Sequence, residues 1–147
     1  MLQPLRIGHV VLKVRDLDRS LAFYRDLLGF QVVCELSNVM IFLSTGGENH
    51  HDLALLRVGQ QAPSPVPAAV GLYHVAIQLA DWESVRGAHT LLGERGLLKG
   101  AVDHGVSRSL YTTDPDGNEI ELYCDAPRSE WEGRVDEVMT VKPLVID

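Results

Sequence analysis

The sequence predicts an α+β fold made of two βαβββ modules joined by a proline-rich linker. Three observations carry that reading. The order strand, helix, strand, strand, strand can be traced twice along the chain. Each opening strand carries a histidine at the matching place, His9 and His74. Between the copies lies Gly59-Gln60-Gln61-Ala62-Pro63-Ser64-Pro65-Val66-Pro67, too rich in proline to continue a strand. Neither small module can bury a sheet face alone, so the two are expected to pack around shared space. The expected division is a first module at 1–58, a linker at 59–70, a second module at 71–125 and a C-terminal tail or arm at 126–147.

In the first module, Ile7-Gly8-His9-Val10-Val11-Leu12-Lys13-Val14 is dense in β-branched residues and reads as a strand. Asp16 or Asp18 can cap a helix at 20–28, whose Leu21, Tyr24, Leu27 and Leu28 make an apolar stripe at helical spacing; Gly29 stops it. Strands follow at 30–36, 40–44 and 51–58, separated by turns at Ser37-Asn38 and Thr45-Gly46-Gly47. The second module opens with a strand at 72–79. Asp81 then caps a helix to about Arg95, with Glu83 favoured in its first turn by the helix dipole. Shorter strands fit 99–102, 108–113 and 119–124. The tail carries Trp131, Val135, Val138 and Met139 and is expected to lie as a short helix or arm on the body or on a partner chain.

At 147 residues, with 46% apolar and 22% charged residues, the chain can bury a real core and is not largely disordered. A formal charge of −7 with no basic cluster argues against nucleic acid and anionic membranes as partners. No run approaches the roughly 18 apolar residues of a spanning helix. The opening Met1-Leu2-Gln3-Pro4-Leu5-Arg6 lacks the features of a secretory signal. Cys34 and Cys124 make no disulfide framework and read as buried, inert thiols. A cytoplasmic setting is expected.

Alternation along a strand puts His9 on one face with Ile7 and Val11, and His74 on one face with Leu72 and Ala76. A lone histidine among apolar neighbours is more often structural than a ligand. Duplication changes the weighting, because pseudo-symmetric packing brings both rings to one point. Glu121 shares its face of the last strand with Glu119 and Tyr123 and is flanked by Ile120, Leu122 and Cys124. A carboxylate so placed needs a partner. Two imidazoles and one carboxylate form a facial triad that leaves three adjacent positions of an octahedral ion open, the arrangement favoured by non-haem Fe(II), with Mn(II) as competitor.

These residues resemble the vicinal-oxygen-chelate superfamily of glyoxalases, fosfomycin-modifying enzymes, antibiotic-sequestering proteins and extradiol ring-cleaving dioxygenases. The likeness runs from Arg6 to Asp125 and implies paired βαβββ modules forming a metal-centred cup, glyoxalase/dihydroxybiphenyl dioxygenase-like, with His9, His74 and Glu121 as metal ligands. Within it the sequence is most similar to single-domain extradiol enzymes of the catechol 2,3-dioxygenase type. Their signature is matched by Val102-Asp103-His104, five residues, Leu110-Tyr111, then Asp114-Pro115-Asp116-Gly117 and Glu121. Asn49-His50-His51-Asp52 resembles their paired-histidine segment, which gives His51 the role of acid or base. In an extended strand His50 and His51 face opposite ways, and we place His51 inward.

The resemblance implies a dioxygenase that inserts both atoms of O2 into a small aromatic diol. His51, His104 and Tyr111 would be its catalytic residues, and the cofactor would be Fe(II), with Mn(II) possible. A glyoxalase-type site would need a further carboxylate, and Asp52 alternates away from His51. Other readings stay open: a glyoxalase-like lyase or isomerase, a fosfomycin-type thiol transferase, or a small-molecule sequestering protein of the same fold. The expected assembly is a homodimer.

Overall fold

A computed structural model describes residues 1–47 and 49–146; Glu48 of the first expected module and Asp147 at the end of the tail lie outside the described residues. The chain forms two compact units, each an α+β module of the repeated βαβββ kind. One comprises Met1–Ala69 with Asp114–Asn118, the other Val70–Thr113 with Glu119–Asp147.

In the first unit, β1 (Val10–Val14) alternates as a half-covered strand, with Leu12 and Val14 buried and Val11 and Lys13 exposed. Helix α1 (Leu17–Tyr24) starts earlier than the apolar stripe suggests, because the Asp16 carboxylate accepts from the Arg19 amide at 2.9 Å. It also ends earlier. The Leu28 amide donates to the Phe23 carbonyl five residues back, and Gly29 at φ +82° turns the chain away. Leu27 and Leu28 therefore lie beyond the helix.

Strands β2 (Gln31–Leu36) and β3 (Met40–Ser44) are antiparallel, with Ser37 and Asn38 at positive φ between them. Strand β4 (Leu53–Arg57) pairs parallel with β1 and antiparallel with β3, giving the order β1-β4-β3-β2. Every residue of the edge strand β2 is exposed, Cys34 included. The expectation of two buried thiols therefore fails for Cys34. Cys124 is buried, which raises its thiol pKa.

The turn at Asp114–Asn118 belongs to this first unit. Buried Asp114 accepts from the Tyr24 hydroxyl at 2.9 Å, from the amides of Asp116 and Asn118 at 2.9 Å each, and from Asn118 Nδ2 at 2.8 Å. Arg15 donates its amide and Nη1 to Asp116 at 3.0 and 2.9 Å, and its Nε and Nη2 to the Ala62 carbonyl and Ser64 hydroxyl. Burial beside the Asp114 carboxylate raises the Tyr24 pKa far above the phenol range, so its proton stays in place.

The second unit repeats the plan with β5 (His74–Gln78), α2 (Trp82–Glu94), β6 (Gly100–Asp103), β7 (Ser107–Thr113) and β8 (Glu119–Asp125), in which β5 pairs parallel with β8. Asp81 caps α2 through the Ser84 amide at 2.8 Å. Val85 and Leu92 pack inward from α2, beside buried Leu110, Ile120 and Leu122. Trp82 sits under the Arg108 guanidinium, 4.8 Å from its ring centre. Beyond β8 the chain makes two single turns, α3 (Arg128–Trp131) and α4 (Val135–Val138), then β9 (Lys142–Pro143), which pairs antiparallel with β6. The sheet order is β5-β8-β7-β6-β9. No helix of the described residues is long and apolar enough to cross a membrane.

Candidate active site

Cross-strand register assembles a polar cluster on the sheet of the second unit. Glu121 on β8 stands opposite Tyr111 on β7 and Ala76 on β5, while His74 stands opposite Glu119, two residues earlier on β8. Strand periodicity keeps Glu119 and Glu121 on one face, so both carboxylates meet the His74 ring. His74 Nε2 lies 3.0 Å from Glu121 Oε2. His74 Nδ1 is 3.6 Å from Glu119 Oε1, too far for a hydrogen bond, and is buried with no other partner. Ala76 and Gly100, the neighbours of Glu121 and Tyr111 across the strands, carry little side chain and leave this face uncrowded.

Glu121 is only 8% exposed. Its Oε1 accepts from the Tyr111 hydroxyl at 3.3 Å, and that hydroxyl lies 2.9 Å from His104 Nε2. Partial burial and the Glu121 carboxylate push the Tyr111 pKa up to about 12. Near neutral pH Tyr111 is therefore a protonated donor. Asp103 does not pair with the neighbouring His104; its carboxylate accepts from the Gly105 amide at 2.7 Å.

His9, His50 and His51 gather in the first unit. His9 is exposed and immediately precedes β1 instead of lying within it. Its ring centre is 4.4 Å from that of His51 and 6.5 Å from that of His50. His51 also precedes its strand, half-buried against the edge of Phe42, while His50 is exposed. Desolvation and the neighbouring His50 and His9 lower the His51 pKa, so a neutral ring is favoured.

The loop before β4 is organised by Asp52. Its Oδ2 accepts from the Thr45 amide and hydroxyl at 2.8 and 3.0 Å and from Ser44 Oγ at 3.2 Å, and its Oδ1 from Asn49 Nδ2 at 2.8 Å. Both carboxylate oxygens are thus engaged within the loop, which leaves Asp52 unsuited to a ligand role. Desolvation opposes its charge, but these donors outweigh it and hold its pKa below the usual carboxylate value. The resulting stabilisation is full above the unfolded-state pKa and is lost as pH falls through the lowered folded-state value. We expect Asp52→Asn to flatten the acid limb of a stability–pH profile measured by urea unfolding; an unchanged limb would show that the loop contributes nothing there.

Of the sequence-predicted residues, His74, Glu121, Tyr111 and His104 thus form one contiguous cluster, and His9 and His51 form another. Among the described residues no group of three or more His, Cys, Asp or Glu side chains is arranged to hold a metal ion. Glu119 and Thr140 also border the cluster. Glu119 was legible by strand alternation, as it shares a face with Glu121. Thr140 contributes a main-chain carbonyl, 3.3 Å from His104 Nδ1, and side-chain identity carries no signal for that.

Residues 6–122 match the family described as Glyoxalase/Bleomycin resistance protein/Dioxygenase superfamily. The chain belongs to this superfamily. Similar superfamily proteins include the catechol-2,3-dioxygenase of Bacillus subtilis (strain 168), 40% identical over 130 residues that cover 86% of this chain and 44% of that protein. Another is biphenyl-2,3-diol 1,2-dioxygenase 3 of Rhodococcus globerulus, 38% identical over 122 residues covering 82% and 63%. The chain thus spans roughly half the length of these relatives. Among solved structures of the superfamily, a glyoxalase/dioxygenase from Nostoc punctiforme superposes with a TM-score of 0.70 at 25% identity, covering 86% of this chain and 97% of that one. A lactoylglutathione lyase from Agrobacterium tumefaciens gives 0.62 at 28% identity, covering 82% and 94%.

Proposed function

We propose that this superfamily member is an extradiol dioxygenase that opens the ring of a catechol-type diol with O2, using a non-haem Fe(II) held by His9, His74 and Glu121 in a metal-centred cup. Mn(II) is the competing ion. The observation that carries the reading is the joined set His74–Glu121–Tyr111–His104 on one sheet face. The pair His74 and Glu121 fits a metal on two counts. The first is donor chemistry: an imidazole nitrogen and a carboxylate oxygen meet at 3.0 Å on one sheet face. A buried His74 Nδ1 beside Glu119 is the outer nitrogen of a ligand histidine, the place where such rings carry their proton.

A metal held by His9, His74 and Glu121 would supply Lewis-acid chemistry, lowering the cost of deprotonating the diol. The remaining work falls to this chain. Tyr111, protonated near neutral pH, donates a hydrogen bond to an oxygen at the site, and His104 Nε2 stands behind it to take up or return a proton. His51, biased toward its neutral form, can accept a proton released by the diol. Glu119 lies 3.6 Å from the outer nitrogen of His74, and a small approach would let it accept from that nitrogen and orient the ring. We further propose a homodimer; Val32, Val33 and Leu36 on β2 are 43–53% exposed and suit a contact between copies.

Anaerobic loading of the chain with Fe(II), followed by oxygen-electrode assays on a panel of catechols, tests the reading. One O2 consumed per diol, with a yellow ring-opened product, is expected. Failure of every catechol, together with metal-dependent turnover of a glutathione conjugate without oxygen uptake, would install the lyase reading instead. Tyr111→Phe is expected to keep bound iron and lose about 10²- to 10⁴-fold in kcat, as measured by oxygen uptake against iron content.

A further inference from the structure

The stretch from Val138 to Leu144 returns along β6 and meets the turn carrying His104. The Leu144 amide donates to the Ala101 carbonyl at 3.1 Å, and Asp103 pairs with Lys142 across β6 and β9. At the turn the contact becomes reciprocal. The Thr140 amide donates to the His104 carbonyl at 2.9 Å, and the Thr140 carbonyl lies 3.3 Å from His104 Nδ1. Gly105 makes this approach possible: its φ is +76°, and a Cβ there would lie 2.0 Å from the Val138 carbonyl oxygen.

A carbonyl oxygen only accepts, so contact with Thr140 requires a proton on Nδ1. In a neutral ring this leaves the lone pair on Nε2, 2.9 Å from the Tyr111 hydroxyl. If the ring is instead doubly protonated, Nε2 donates to Tyr111, and the Tyr111 hydroxyl donates to Glu121 Oε1 at 3.3 Å. In both states Nδ1 keeps its proton and Nε2 is the atom that changes.

We propose that the C-terminal arm is a positioning element for His104: the Thr140 carbonyl pins Nδ1 as an N–H, so Nε2 is the ring nitrogen left to face the Tyr111 hydroxyl. The arm acts through its main chain and touches no reacting atom. This inference rests on the proposed ring cleavage only for what His104 does afterwards, and its test needs neither metal nor diol.

The test is a long-range proton–nitrogen NMR spectrum of the uniformly 15N-labelled, metal-free full chain, with the His104 ring signals assigned by their loss in His104→Gln. At a pH where the ring is neutral, the pattern of an Nδ1–H tautomer is expected. An Nε2–H pattern in the unaltered chain overturns the proposal without recourse to any variant. Thr140→Ala keeps the carbonyl and is expected to leave the pattern unchanged. Thr140→Pro deletes the amide that ties the arm to His104 and is expected to shift the ring toward Nε2–H, as is Gly105→Ala. Retention of the Nδ1–H pattern in both folded variants, with the arm amides newly exchanging, would mean that the arm only braces the fold. Should no catechol be cleaved while the unaltered chain shows Nδ1–H, the functional reading falls and the positioning role stands.

Discussion

Glu121→Ala is expected, on the proposed reading, to abolish Fe(II) loading and to lower diol-dependent oxygen uptake by at least about 10³-fold, since loss of a ligand would forfeit several kcal/mol of charge stabilisation. In the metal-free protein the same change should be mild. It removes a carboxylate that is 8% exposed and leaves His74, which is more open, to find water. His74→Ala should behave differently. It withdraws the 3.0 Å partner from a buried carboxylate, and an underpaired buried acceptor costs about 1–3 kcal/mol. The two variants should therefore share the loss of iron and activity but separate in the urea midpoint of the metal-free protein, with His74→Ala the less stable. Iron retained in either variant, measured after anaerobic loading, would remove that residue from the ligand set.

Asp114→Ala should destabilise the chain by about 3–5 kcal/mol, the range for breaking a buried charged hydrogen-bond network. The carboxylate serves four donors at once: the Tyr24 hydroxyl, the amides of Asp116 and Asn118, and Asn118 Nδ2. Deleting it strands all of them in a site where Asp114 is 4% exposed. Tyr24→Phe removes one donor and leaves the carboxylate three, so about 1–1.5 kcal/mol is expected. Urea unfolding of both variants beside the parent checks the ratio. Equal losses would mean that the turn relaxes and re-solvates its amides.

The legible part of this molecule is the part written in side-chain type and period. The capping aspartates Asp16 and Asp81 sit where local chemistry puts them, and β1 and β5 lie inside the longer β-branched runs that precede them. Helix α1 departs from its apolar stripe because the Asp16 cap fixes its start and the wide Leu28-to-Phe23 closure with Gly29 fixes its end; Leu27 and Leu28 keep the period without the helix. His9 and His51 fall just outside their strands, since pairing of β1 with β4 begins at Val10 and Leu53 and the Asp52 loop occupies the approach. Within the cluster, His74 and Glu121 are marked by strand alternation and His104, Tyr111 and Glu121 by the multi-residue pattern, the two signals meeting at Glu121. The grip of Thr140 on His104 was not legible, because a main-chain carbonyl leaves no mark on residue identity.

The Asp114–Asn118 turn also makes the first unit discontinuous along the chain. Arg15 and Asp116, 101 positions apart, must meet before that unit is whole. During synthesis the ribosome extends the chain by roughly 5–20 residues each second, so for several seconds after residue 69 is made the Tyr24 phenol lacks its Asp114 acceptor and the Arg15 Nη1 lacks Asp116, while Nε and Nη2 already have Ala62 and Ser64. The Tyr24–Asp114 and Arg15–Asp116 contacts can close only after residue 116 has been translated. Nascent chains stalled short of residue 118 are the ones a protease or chaperone would find open.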